Sequence, residues 1–308
     1  MEKLEVCNAD NAQEIGAIYA QSLKNRISLS DHQAQEYFID SVQGSFREPL
    51  ETEEEIRSLF ENNELIPACL LYRDLDDLEA PIKGGEFLAR RFVAGKGIST
   101  PGDWIQSMDK HGYRPKLNEL DLDTAINVSS KLPNGFEVSS NLSDELLRDP
   151  GFADFVENKM KQYGVNHIDN ACLEISEETK QFTVTMLLRL EFLIEKGFSL
   201  ALDDAGTNNT EAVYKTLQEY EIPIKNVKID GQVTPKILSE PEVIKKWVEA
   251  GENNPDTEDI VFEGGFPILL SPRILDALRE LKSKMNGTLN WYVQGPIYTD
   301  DSYPYPPK

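Results

Sequence analysis

Two adjacent carboxylates, Asp203 and Asp204, close the apolar run Phe198-Ser-Leu-Ala-Leu and lead into Ala-Gly-Thr207. Read as a strand, the run sends Leu200 and Leu202 to one face and Ser199, Ala201 and Asp203 to the other. Neighbouring aspartates at a strand end repel one another unless a cation lies between them. A plainer alternative is a turn in which Asp204 only caps the next helix. The pattern recurs along the chain, which weighs against that alternative. Glu174 lies between Leu173 and Ile175, Asn141 between Ser140 and Leu142, and Lys228 between Val227 and Ile229. Glu263 follows Phe262, Gln294 follows Val293, and Glu86 precedes Phe87. With the apolar neighbours facing surrounding helices, each polar side chain points to a shared interior.

Carboxylates buried at this density need cations. Glu86, Asn141, Glu174, Asp203 and Asp204 offer oxygen donors, a hard set that suits Mg2+ or Mn2+. A pair of ions sharing Asp203 would form a two-metal centre for hydrolysis of a phosphodiester. The three histidines, at 32, 111 and 167, have no metal-ligand spacing, which argues against zinc. The residues alone lead to metal-dependent phosphoryl chemistry and do not name a substrate.

Strand-like runs at 65–72, 82–92, 136–142, 171–176, 198–204, 227–230, 260–263 and 291–294 must position these groups. Amphipathic segments separate most of them: ELLRDPGFADFVENKMKQYG, EETKQFTVTMLLRLEFLIEKG, TEAVYKTLQEY and PRILDALRELKSKMNG. Ser271 is the expected N-cap of the last, with Pro272 at its first position. Alternating strands and helices predict an α/β fold, a (β/α)8 TIM-like barrel with its active site at the C-terminal strand ends. Thr52-Glu-Glu-Glu55 reads as a capping box opening the barrel domain, expected over 53–300. Residues 1–52 read as an N-terminal helical extension, an accessory layer or an arm for a protein partner. The tail at 301–308, TDDSYPYPPK from Thr299 onward, is proline-rich and expected to be poorly ordered.

Composition bounds the partners. The 308-residue chain is 40% hydrophobic, enough for a substantial core, and carries a formal net charge of −23. Such acidity excludes a broad basic surface for duplex nucleic acid. A small anionic ligand could bind where metal ions reverse the local field. Cysteines 7, 69 and 172 form no CxxC, and the pattern predicts reduced thiols in a cytoplasmic protein. The N-terminus has no apolar signal-like core, and no run reaches membrane-spanning length.

From about residue 53 to 300 the chain resembles the EAL-domain family, cyclic di-GMP phosphodiesterases. Gly85-Glu-Phe-Leu-Ala-Arg90 is similar to the namesake G-x-E-A-L-L-R strand, with Phe87 in place of alanine. Val138-Ser-Ser-Asn-Leu-Ser143 resembles V-N-L-S, and Leu173-Glu-Ile-Ser-Glu177 resembles E-I-T-E. Leu202-Asp-Asp-Ala-Gly-Thr207 resembles D-D-F-G-T-G, and Val227-Lys-Ile-Asp230 resembles K-I-D. Phe262-Glu-Gly-Gly265 and Val293-Gln-Gly295 resemble the closing A-E-G-V-E and Q-G. The resemblance implies an antiparallel first strand. It also implies that Glu86, Asn141, Glu174 and Asp203 bind one ion while Asp203 and Asp204 hold a second. Lys228 and Glu263 would position and activate water, Gln294 would hold water or substrate, and Arg90 would contact substrate phosphate. Glu177 would brace the loop after Asp204.

Three departures surround this set. Ala205 and Asn208 replace the loop's phenylalanine and second glycine, Phe266 replaces the second glutamate of A-E-G-V-E, and Tyr72-Arg73 replaces a glutamine-proline. These changes bear on loop positioning, substrate affinity and a homodimer interface. Two expectations follow. One is a phosphodiesterase converting cyclic di-GMP to linear pGpG. The other is a non-hydrolysing module, either a cyclic di-GMP receptor or a protein-binding adaptor on the same barrel.

Overall fold

A computed structural model describes residues 46–93, 96–132, 135–176, 179, 181–207, 209–264, 270–285 and 287–295. Residues 1–45 of the expected 1–52 extension, the tail, Glu177, Asn208 and Phe266 therefore lie outside the described residues. The chain forms two compact units, one of Met1–Leu71 with Gly84–Ala171 and one of Tyr72–Lys83 with Cys172–Lys308.

In the first unit, Thr52 caps helix α1 (Glu53–Glu61) through a complete capping box. Its Oγ1 accepts from the Glu55 N–H at 3.3 Å, and the Glu55 carboxylate accepts from the Thr52 N–H at 2.9 Å. This satisfies two backbone donors that a helix start otherwise leaves open. Strand β1 (Leu65–Asp74) follows, then β2 (Gly84–Val93). Strand β2 pairs antiparallel with the short β3 (Gly97–Ser99) and parallel with β4 (Glu137–Leu142). Helices α2 (Ile105–Lys110) and α3 (Arg114–Ser129) lie between β3 and β4. Leu50, Ile56, Leu59, Leu65, Trp104, Met108 and Leu117 form a shared core. After β4 come α4 (Asp144–Arg148) and α5 (Phe152–Tyr163), separated at Asp149-Pro150 because proline cannot continue the first helix.

Residues 46–50 have no regular structure but are held firmly. The Phe46 N–H donates to the Ile98 carbonyl at 3.3 Å, and the Leu50 N–H to that of Asp103 at 3.0 Å. The buried Arg91 donates to Glu48 at 2.9 Å and to Glu64 at 2.8 Å. On the same strand, Glu86 and Arg90 are buried as well. Burial lowers the pKa of Arg90, and the negative charge of Glu86 opposes that shift.

Burial raises the pKa of the Cys69 thiol, and Glu86 adds to the shift. A raised folded-state value favours folding below the unfolded thiol pKa of about 8.5, a contribution lost as pH climbs above it. The stability difference between wild type and Cys69→Ala, from urea unfolding, is therefore expected to move against wild type between pH 7 and pH 10. A pH-independent difference would contradict the burial argument.

In the second unit, Tyr72–Asp74 of β1 run antiparallel to β9 (Asn290–Gln294), with Tyr72 opposite Gln294. Strands β9, β8 (Asp259–Glu263), β7 (Asn226–Ile229), β6 (Ser199–Ala205) and β5 (Ala171–Ile175) then follow, each parallel to its neighbour. Helices α6 (Val184–Glu195), α7 (Thr210–Glu219), α8 (Pro241–Glu252) and α9 (Pro272–Lys284) connect them. Each helix buries a stripe at three- and four-residue spacing, such as Ile244, Trp247 and Val248 on α8. Ser271 occupies the N-cap of α9 as expected, although its hydroxyl makes no capping bond. Leu173, Leu202, Val227, Ile229, Phe262 and Val293 are wholly buried, which fixes the register of the polar residues between them.

Candidate metal centre

Strand pairing places the expected site residues on common faces. In the first unit Glu86 pairs with Ser139, and Asn141 lies two residues beyond Ser139 on the same face of β4. Asn141 is exposed, whereas Ser139 and Ser140 are fully buried. It stands beyond the paired positions, near the end of β4. Arg90 lies four residues beyond Glu86, also on that face.

In the second unit Glu174 pairs with Ala201, two residues before Asp203, and Glu263 pairs with Gln294. Lys228 pairs with Val261, two residues before Glu263. Its Nζ lies 2.8 Å from Glu174 Oε1, 3.0 Å from Asp203 Oδ1 and 2.9 Å from Glu263 Oε1. The Lys228 side chain is 1% exposed and that of Glu174 0%. A buried ammonium so surrounded is held by charge-assisted hydrogen bonding and ion pairing. Lys228 thus ties together carboxylates from β5, β6 and β8.

Oxygens of Asp203, Asp204 and Glu263 lie within 4.8 Å of one another, and all three residues are half-buried. Three converging hard oxygen donors fit a divalent ion such as Mg2+ or Mn2+. Glu263 thus stands among the candidate ligands as well as beside Lys228.

A backbone irregularity creates this cluster. Ala201 and Leu202 pair with Asn226 and Val227, but Ala205 pairs with Ile229, so β6 holds one residue more than β7 opposite it. This is a β-bulge at Asp203-Asp204, and Asp204 takes a positive φ of 50°. Bulges bend a strand and re-aim its side chains. A regular strand would send successive side chains to opposite faces, whereas here both aspartates reach one cluster. Gly206 has φ 99°, and a Cβ there would lie 2.8 Å from Val233 Cγ1, so the turn needs glycine.

The Asp204 carbonyl accepts from the Thr207 N–H at 3.2 Å, from Thr207 Oγ1 at 2.8 Å and from Thr210 Oγ1 at 3.0 Å. Neither threonine hydroxyl was among the residues expected to matter. The available signal was two hydroxyls three residues apart directly after a paired aspartate, a pattern that reads more simply as a helix start.

The fold and the site together define an α/β protein with an acidic, oxygen-donor centre at strand ends. The chain belongs to the EAL domain family, whose model matches residues 53–248. It is 28% identical over 203 residues to the probable cyclic di-GMP phosphodiesterase PdeG of Escherichia coli (strain K12). That likeness covers 64% of this chain and 38% of PdeG, so the chain spans well under half of that relative. The cAMP-bound form of the EAL enzyme Bd1971 superposes with a TM-score of 0.64 at 20% identity, over 79% of this chain and 65% of Bd1971. The PaMucR phosphodiesterase, in a c-di-GMP complex, gives 0.62 at 21% identity, over 79% and 93% of the two chains. These likenesses show the fold, a mixed α/β barrel of the EAL type with an antiparallel first strand. Among the described residues no helix is long and apolar enough to cross a membrane.

Proposed function

We propose that the protein is a metal-dependent phosphodiesterase that hydrolyses cyclic di-GMP to linear pGpG. The observation that carries this reading is the convergence of Asp203, Asp204 and Glu263 oxygens beside the buried Lys228. Bound Mg2+ or Mn2+ would supply Lewis acidity and lower the pKa of water. Glu86, Asn141, Glu174 and Asp203 are proposed to hold one ion, with Asp203 and Asp204 holding the second. Lys228 is proposed to position the attacking water together with Glu263, which accepts its proton. Gln294 offers an amide to water or substrate, and the Arg90 guanidinium offers paired donors to a phosphate. The water oxygen bonds to phosphorus, the bond to the 3′-oxygen breaks, and the released 3′-oxygen takes up a proton. Glu177 is proposed to brace the loop after Asp204.

A second reading is a cyclic di-GMP receptor or adaptor that does not hydrolyse. It is favoured by the altered loop after Asp204, where Ala205 and Asn208 stand in place of the family's phenylalanine and second glycine.

Chromatography of cyclic di-GMP incubated with the purified full chain separates the readings. The expected outcome is pGpG formed with Mg2+ or Mn2+, abolished by EDTA, and reduced about a hundred- to a thousandfold in Asp203→Asn, the scale of losing one main charge-stabilising group. Nucleotide binding without product would remove the enzyme reading and leave the receptor.

A further inference from the structure

We propose that Thr207 and Thr210 are positioning residues for Asp204, whose carbonyl their hydroxyls hold so that its carboxylate stays with those of Asp203 and Glu263. This inference rests on the metal-centre reading above. Left-handed backbone costs a non-glycine residue up to about 1–2 kcal/mol, less for aspartate than for most, and local hydrogen bonds offset that cost. Asp204 is such a residue, at φ 50°.

The surroundings that hold it are visible. A carbonyl oxygen has two lone pairs. Three donors converge on that of Asp204: the Thr207 N–H, the Thr207 hydroxyl and the Thr210 hydroxyl. Thr210 Oγ1 also lies 2.7 Å from the Thr207 carbonyl. Its single proton serves either carbonyl: one choice holds Asp204 directly, and the other holds residue 207, whose own N–H and hydroxyl donate to Asp204. Thr210 is fully buried, so water does not replace its hydroxyl.

These contacts are not helix capping. A capping hydroxyl accepts from a helix N–H. Here the hydroxyls donate backward to residue 204, and the N-cap of α7, Asn209, makes no side-chain capping bond. With the carbonyl held, the peptide plane after Asp204 is held as well, which restrains the backbone from which its carboxylate projects. Released, residue 204 relaxes toward negative φ and its carboxylate leaves the cluster.

Two variants of the full chain test this: Thr207→Val with Thr210→Val, which keeps shape and removes both hydroxyls, and Thr207→Ser with Thr210→Ser, which keeps them. Calorimetric titration with MnCl2 is expected to show affinity at least tenfold lower in the valine pair and near wild type in the serine pair. Hydrogen exchange of the Thr207 and Asp230 amides, which donate to the Asp204 and Ala205 carbonyls, is expected to quicken at least tenfold in the valine pair alone. Wild-type Mn2+ affinity in the valine pair, or equal loss in both pairs, would overturn the proposal. If wild type itself binds no Mn2+, the metal-centre reading fails. Exchange alone then decides the clamp: unchanged exchange in the valine pair rejects it, and faster exchange restored by serine upholds it. Should the valine pair not fold, Thr210→Val alone is read in the same way.

Discussion

Lys228→Met is expected to destabilise the metal-free protein by roughly 3–5 kcal/mol, the usual cost of breaking a buried ion pair by removing one partner. The ammonium lies among Glu174, Asp203 and Glu263, and the lysine and Glu174 side chains are shut away from water. Methionine keeps most of the volume, so a cavity contributes little and the loss reports charge. Left alone, the carboxylates repel one another and remain poorly solvated. A divalent cation can replace the missing charge. The variant is therefore expected to regain a larger increment of stability from Mn2+ than wild type does. Urea unfolding in EDTA and in excess MnCl2 gives both numbers. A loss below about 1 kcal/mol, the level of exposed pairs, would mean that Lys228 is not the counter-ion the geometry implies. Loss of pGpG formation should accompany the substitution, because the same ammonium is assigned to the attacking water.

Gly295→Ala is expected to cost about 3 kcal/mol or more, combining left-handed strain with overpacking. Gly295 has φ 117°, and a Cβ there would lie 2.3 Å from the Gly264 carbonyl oxygen. That oxygen belongs to backbone and cannot swing aside as a side-chain tip could. The Gly264 N–H donates to the Gln294 carbonyl at 2.7 Å, so the ends of β8 and β9 are held together where the methyl would enter. Separating them displaces Glu263 and Gln294, which are paired in register. Urea unfolding should show the loss, and any protein that remains folded should have weakened Mn2+ binding. Wild-type stability in this variant would show that the strand ends are looser than their hydrogen bond indicates.

Much of the architecture is legible in residue order because strand burial has a short period. All eight expected strand runs coincide with β-strands, since Val, Ile, Leu and Phe alternate around the polar positions. Strand β3 escapes that reading because three residues carry no period. Helix α3 escapes for a different reason: it buries Asn118, Asp123, Thr124 and Asn127 alongside its leucines, which blurs the apolar stripe. Those polar groups are satisfied individually. Asp123, for example, accepts from Tyr163 at 2.7 Å and pairs with Lys159 at 3.1 Å.

The types of the site residues were legible, and their geometry only in part. Alternation puts Glu174, Lys228 and Glu263 on a common side, and three short ion pairs join Lys228 to Glu174, Asp203 and Glu263. It cannot reveal a bulge, because an inserted residue breaks the period on which alternation depends. A regular strand would separate Asp203 from Asp204, and only the irregular pairing with β7 brings both to Glu263. The threonine hydroxyls stayed hidden because hydroxyls just before a helix usually signal capping.

The extra residue in β6 also gives this turn a backbone that folding alone would not require. A chain selected for folding alone would close the ladder between β6 and β7 without the insertion, or place glycine where Asp204 now holds a left-handed backbone. Either change would relax the sheet and leave it without the second acid. Keeping aspartate there holds a less comfortable backbone in readiness for a ligand, the pattern expected where chemistry rather than packing has set the choice of residue.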